Sequence, residues 1–139
     1  MTGRTPLAYL ATPYSRYKHG TVAAFQEASR LAGRLIKAGQ LVYSPIAHTH
    51  PIARYGGIDP LDHAFWMAIN QGMLDRCDVL LVAHLDGWKE SKGIAIEVAE
   101  FERMGKPIFD LDPVTLRAWS SIMAAWNAGL APCCCYEMP

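Results

Sequence analysis

The chain has 139 residues, 51% of them apolar and 19% charged, with 13 Lys+Arg set against 13 Asp+Glu. That length and composition fit one globular domain, residues 1–139, with a core of its own, and exclude a disordered chain. A formal net charge of zero removes the electrostatic argument for a nucleic-acid polymer as partner, and leaves room for a small anion held by local groups.

No apolar run approaches the roughly 20 residues that span a bilayer. The opening Met-Thr-Gly-Arg-Thr-Pro lacks the apolar segment of an export signal. The four cysteines are Cys77 and the run Cys133 to Cys135, which is no disulfide framework. A cytoplasmic protein with reduced thiols and no membrane partner is expected. Residues from about 129 to 139 read as a flexible or partner-contacting tail.

In chain order, Leu7–Ala11 is a short apolar run and reads as a first buried strand. Thr12-Pro13-Tyr14-Ser15 follows as a hydroxyl-rich loop. A helix is predicted from about Thr21 to Lys37, with Val22, Phe25, Ala28, Leu31, Ala32, Leu35 and Ile36 in helical rhythm and Gly39 as its stop. Gln40–Ser44 is a second strand. Residues 45–60 read as a long irregular loop carrying His48, His50, Arg54 and Tyr55, and such a loop is usually functional or mobile. A helix is expected from about Leu61 to Arg76, a third strand over Val79–Ala83, and a helix from about Ser91 to Met104. Pro107–Asp110 reads as a fourth strand and 113–128 as a last helix.

Strands alternating with helices predict a three-layer α/β/α fold of flavodoxin or Rossmann-like type. Its parallel sheet of four to five strands would run in the order 2-1-3-4, with a ligand crevice where loops 1 and 3 meet. That crevice would gather Tyr9, Thr12, Tyr14 and Ser15 against Asp86, Trp88, Ser91, Gly93 and Glu97.

Residues 78–97 carry the densest signal. Ser91 suits a helix N-cap, because its hydroxyl accepts from free amides of the first turn. Lys92 puts a positive charge at the positive end of the helix dipole, and Gly93 costs about 1 kcal/mol relative to Ala. Both choices fit an anion docked against the backbone there. Glu97 lies one turn beyond Gly93 and borders the arc of Ile94, Val98 and Phe101. The plain alternative is a surface glutamate behind an ordinary Ser cap.

Ala8-Tyr-Leu-Ala-Thr-Pro13, Ser91-x-Gly93-x-Ala95-x-Glu97 and Gly105-Lys-Pro-Ile resemble motifs of the nucleoside 2-deoxyribosyltransferase family. The chain looks closest to a small relative of those enzymes and of deoxynucleotide N-glycosidases, sharing the Ser-Pro-Ile-x-His-x-His-Pro, Phe-Trp and Asp-Gly-Trp-x-x-Ser segments. The resemblance implies that Glu97 is a nucleophile toward an anomeric carbon and that Tyr9 orients it. It implies a Ser91 contact to a 5′-phosphate, and a homo-oligomer. Asn70 stands where related enzymes usually have Asp, and an amide cannot donate a proton as an acid does.

The expected function is cleavage or transfer of the N-glycosidic bond of a (deoxy)nucleoside 5′-monophosphate. Glu97, Tyr9 and Asn70 would be catalytic, and Thr12, Tyr14, Ser15, His48, His50, Asp86, Trp88, Ser91 and Gly93 would bind substrate or phosphate. The alternative is a non-catalytic nucleotide sensor of the same fold. No cofactor is expected. His48-Thr-His50 has the spacing of two metal ligands on a strand, but these histidines read better as crevice residues, and no metal is assigned.

Overall fold

The computed structural model describes residues 5–120 and the backbone of 135–136. Ten elements follow in order. They are β1 (Leu7–Ala11), α1 (Thr21–Lys37), β2 (Leu41–Tyr43), α2 (Pro45–Gly56), α3 (His63–Arg76), β3 (Val79–Ala83), α4 (Lys92–Arg103), β4 (Ile108–Leu111), β5 (Ala118–Ser120) and β6 (Cys135–Tyr136). The sheet order is β2-β1-β3-β4-β5-β6, which contains the expected 2-1-3-4.

The central strands β1 and β3 are apolar on both faces because both faces are covered. Ala8, Leu10, Leu81 and Ala83 pack against Leu31 and Leu35 of α1. Tyr9, Ala11, Leu80 and Val82 pack on the other face against Leu74 of α3 and Ile94 and Phe101 of α4. Register is set at the base of the sheet by Asp78. Its carboxylate accepts from Leu7 N at 2.8 Å, while its own N–H donates to Leu7 O at 2.8 Å. Tyr9 then pairs with Leu80 on β3 and Tyr43 on β2. No described helix is long and apolar enough to cross a membrane.

Two expectations fail. The loop predicted over 45–60 is mostly helix α2. Ser44 caps it by accepting from Ala47 N at 3.2 Å, Pro45 sits where a missing N–H costs nothing, and Gly57 ends it in the left-handed conformation at φ 68°. Pro51 inside the helix argued against it in the sequence. The helix predicted from residue 113 is instead a tight turn into a strand. The Asp112 carboxylate accepts from Val114 N at 2.8 Å and Thr115 N at 3.3 Å, and Leu116 takes a positive φ of 63°. The chain reverses, and β5 pairs antiparallel with β4, so the sheet is not wholly parallel. β6 adds a second antiparallel pair. The rest of that predicted helix and most of the proposed tail, Cys133 and Cys134 included, lie outside the described residues.

Ser44→Ala removes the cap of α2 and is expected to lower stability by about 1 kcal/mol. Urea denaturation measures this, and an unchanged midpoint would deny α2 its dependence on the cap.

Candidate active site

The crossover from β1 to α1 and the one from β3 to α4 both start at the carboxyl ends of neighbouring strands, and a cavity opens between them. Its free space is about 610 Å³ counting the open mouth. The loop after β1 contributes Thr12, Tyr14 and Ser15; α2 contributes Pro45, Ile46 and Thr49. From α3 come His63, Trp66, Met67 and Asn70, which share one face at spacings of three and four. From the start of α4 come Ser91, Gly93 and Glu97. Pro60 completes the wall.

Glu97 is 7% exposed. It belongs to the same buried stripe of α4 as Ile94 and Phe101. Burial pushes its carboxyl from 4.5 up to about 8, against the opposing pull of the Tyr9 hydroxyl. The Tyr9 phenol is held far above its ordinary range, first by burial and then by the charge of Glu97, so it remains a donor. The two groups couple electrostatically, yet the Tyr9 oxygen closes no hydrogen bond of normal geometry. A small shift of either side chain would complete the bond. Tyr9 itself is locked between the rings of Tyr43, at 5.7 Å, and Phe101, at 6.1 Å.

Among the described residues three buried side-chain polar atoms lack a partner: Tyr9 Oη, Thr12 Oγ1 and Asn70 Oδ1. Thr12 and Asn70 line this cavity, and Tyr9 faces its Glu97. A buried orphan costs about 1–3 kcal/mol, so three at one place mark a surface prepared for a polar ligand.

Ser91 caps α4 as predicted, its Oγ accepting from Ile94 N at 3.3 Å, which leaves its hydroxyl proton for another acceptor. Gly93 is not forced by sterics. A Cβ there would meet only Ser91 Oγ, at an ordinary 3.8 Å. The glycine leaves room above the helix terminus instead. Among the described residues no Lys or Arg lines the cavity, so an anion there would depend on amides and hydroxyls.

Seven of the twelve residues singled out in the sequence line this cavity: Thr12, Tyr14, Ser15, Asn70, Ser91, Gly93 and Glu97. Tyr9 stands behind Glu97. The other four lie elsewhere. His48 turns to Tyr43, with ring centroids 5.8 Å apart. His50 sits behind Tyr14, its Nδ1 2.6 Å from the phenol oxygen. Asp86 forms an exposed ion pair with Lys18 at 2.7 Å. Trp88 stacks on His84 at 3.9 Å and lines a second cleft with Trp119 and Asp110, on the far side of Ser91. His84 also reaches Asp110 at 2.8 Å. Sequence reasoning missed the α2 wall, having no helix there, and took Trp66 for core. The signal for α3 was present, because His63, Trp66 and Met67 share the helical phase of Asn70. Among the described residues no three His, Cys, Asp or Glu converge as metal ligands.

The profile of a family described as a domain of unknown function, DUF1937, matches residues 6–113. Among solved structures, a 2-deoxyribosyltransferase from the psychrotolerant bacterium Bacillus psychrosaccharolyticus is similar at 20% identity and a TM-score of 0.48, covering 77% of this chain and 72% of that one. No curated protein matches the chain.

Two expectations follow from the geometry. A carboxyl whose pKa is higher folded than unfolded binds more protons in the folded state, so stability falls as pH rises from about 4.5 to about 8. Glu97→Gln should therefore gain roughly 2–4 kcal/mol on the parent between about pH 5 and about pH 9. Urea midpoints at both pH values test this, and parallel pH dependence would refute the burial cost. Gly93→Ala should hold or raise stability, by up to about 1 kcal/mol, while weakening any ligand that docks over the helix terminus. Thermal melts with and without ligand separate the two effects.

Proposed function

The chain belongs to the DUF1937 family, and from that premise we propose that it cleaves or transfers the N-glycosidic bond of a (deoxy)nucleoside 5′-monophosphate through Glu97. One observation carries the reading: a buried carboxyl on the wall of a largely apolar cavity that also presents hydroxyls and the Asn70 amide, backed by a phenol that stays protonated. The motif resemblance in β1 and α4 supports the same assignment.

In this mechanism the ionised Glu97 attacks the anomeric carbon from the face opposite the base. A bond forms from the carboxylate oxygen to carbon as the bond from carbon to the base nitrogen breaks. The Tyr9 hydroxyl donates to the carboxylate and orients it. A water or a second base then displaces Glu97 from the glycosyl ester, giving net retention. The base departs with the bond pair as an anion and takes its proton from solvent water at the open mouth of the cavity. Asn70 can hydrogen-bond to it but cannot supply that proton as an acid. Ser91 and the first amides of α4 would hold the phosphate, with Gly93 leaving it space. Exposed Leu61, just before α3, and Phe65 and Ile69 on α3, beside the cavity wall, support a homo-oligomer.

A second reading is favoured by Asn70 together with a Glu97 that is largely protonated at neutral pH. Both weaken catalysis without harming recognition, so a nucleotide sensor is the alternative.

The test is chromatographic detection of free base from each deoxynucleoside and its 5′-monophosphate. Release from monophosphates, lost by roughly 10³-fold or more in Glu97→Gln, is expected. Its kcat/KM should rise with pH toward about 8 as Glu97 ionises. Release that requires a second base would define a transferase. Saturable nucleotide binding with no release would establish the sensor.

A further inference from the structure

We propose that His50 is a positioning residue that draws the Tyr14 hydroxyl proton away from the cavity, so that Tyr14 meets a ligand as a hydrogen-bond acceptor and selects an O–H or N–H at that point. The identity of the ligand rests on the nucleotide reading above. The polarity of Tyr14 does not.

The inference begins with two residues on different elements. Tyr14, in the loop after β1, lines the cavity. His50, on α2, is 9% exposed and lies behind it. The phenol oxygen and imidazole Nδ1 are 2.6 Å apart. The imidazole cannot swing away easily. It stacks on Phe25 of α1 with centroids 4.7 Å apart and planes 18° apart, and the Tyr14 ring meets it edge-on at 82°. One proton lies on this contact, and its direction decides what Tyr14 offers the cavity.

A phenol is the better donor of the two groups, and the bare nitrogen of a neutral imidazole is the better acceptor. The favoured arrangement is therefore Tyr14 O–H donating to Nδ1, with the ring proton on Nε2. The surroundings agree. Burial, and after it the charge of Arg54 on the same helix, hold the imidazole below its usual range and keep it neutral, as an acceptor nitrogen requires. Thr21, at the start of α1, bonds to the phenol oxygen in the sense that lowers the phenol, and so donates to it. With its proton committed to His50 and one lone pair to Thr21, Tyr14 has its remaining lone pair to offer the cavity.

A lone-pair face repels an anionic oxygen and accepts from a donor. The cavity is then polarised. Ser91 and Gly93 at the α4 terminus suit the anionic end of a ligand, and Tyr14 suits a hydroxyl or N–H. A nucleotide carries both kinds of donor, on the sugar and on the base. Of the two roles open to Tyr14 from the sequence, substrate or phosphate contact, this selects the sugar or base over the phosphate.

The test is nitrogen-15 NMR of the histidine rings of the full chain at neutral pH, with Tyr14→Phe as the control. A bare, hydrogen-bonded His50 Nδ1, whose resonance shifts when the phenol is removed, is expected. A protonated Nδ1 in the parent would overturn the proposal. Calorimetric binding then finds the donor. Tyr14→Phe should weaken a deoxynucleoside monophosphate about fivefold to twentyfold, the worth of one hydrogen bond. A 3′-deoxy analogue that binds the parent equally weakly, and is indifferent to Tyr14→Phe, would identify the sugar hydroxyl. The same behaviour in an analogue whose base lacks an amino group would identify the base. Equal weakening of all analogues by Tyr14→Phe would overturn selection by Tyr14. Failure of every nucleotide to bind would overturn the nucleotide reading, and the NMR result would still decide where the proton lies.

Discussion

A carboxyl group inside an apolar stripe is the constraint on which the rest of this structure depends. Glu97 takes a position on α4 that a leucine would fill at lower cost, between Ile94 and Phe101, both of which are buried. The cost is borne by what surrounds it. Phe101, Leu80 and Ile108 complete an apolar cluster beneath it, and Tyr9 of β1 sets a hydroxyl against it. Tyr9 can serve in this way because Tyr43 and Phe101 fix its ring. A mobile phenol would spend its hydrogen bond elsewhere. Helix, strand and ring packing thus converge on one ionisable group, a pattern typical of functional sites.

The cavity above Glu97 differs from a site built to hold charge with charge. One end is a helix terminus with a serine cap and a glycine, and among the described residues no Lys or Arg joins the wall. Recognition through amides and hydroxyls is directional, so it rewards geometry more than net charge. The opposite wall is supplied by α2, whose Thr49 is buried and whose His50 controls the phenol next to it. That helix contributes to the site without containing any residue that needs to touch the reacting atoms.

The central architecture was legible in the sequence because its signals are local and agree with one another. The β1 and β3 runs are apolar on both faces, α1 keeps a clean helical rhythm, and Ser91 is a visible cap, so the order 2-1-3-4 follows. Two elements were hidden by residues with double meaning. Pro51 reads as a breaker although the helix around it survives, and Asp112-Pro113 reads as a helix start although it builds a turn. The site divides the same way. Ser91, Gly93 and Glu97 are spaced along one helix, so their shared wall could be foreseen. His48, His50, Asp86 and Trp88 sit in segments whose direction depends on tertiary packing. Proximity in the chain said nothing about whether Trp88 would face Glu97 or turn to His84 on the far side of Ser91.

The double hydrogen bond between Leu7 and Asp78 has a bearing on how the protein comes into being. It joins residues 71 apart in sequence, at the bottom edge of the sheet, and it aligns β1 with β3. β1 is among the first segments made, yet one of its two neighbours in the sheet arrives more than half a chain later. Until then its apolar face has no second strand, and Tyr9 has no Glu97 to meet. A slip of one residue in that late pairing would turn Tyr9 to the opposite face of the sheet. The meeting of Tyr9 with Glu97 is therefore decided by a nonlocal step of folding, and slow loop closure, more than local helix formation, should govern how soon a newly made chain completes its cavity.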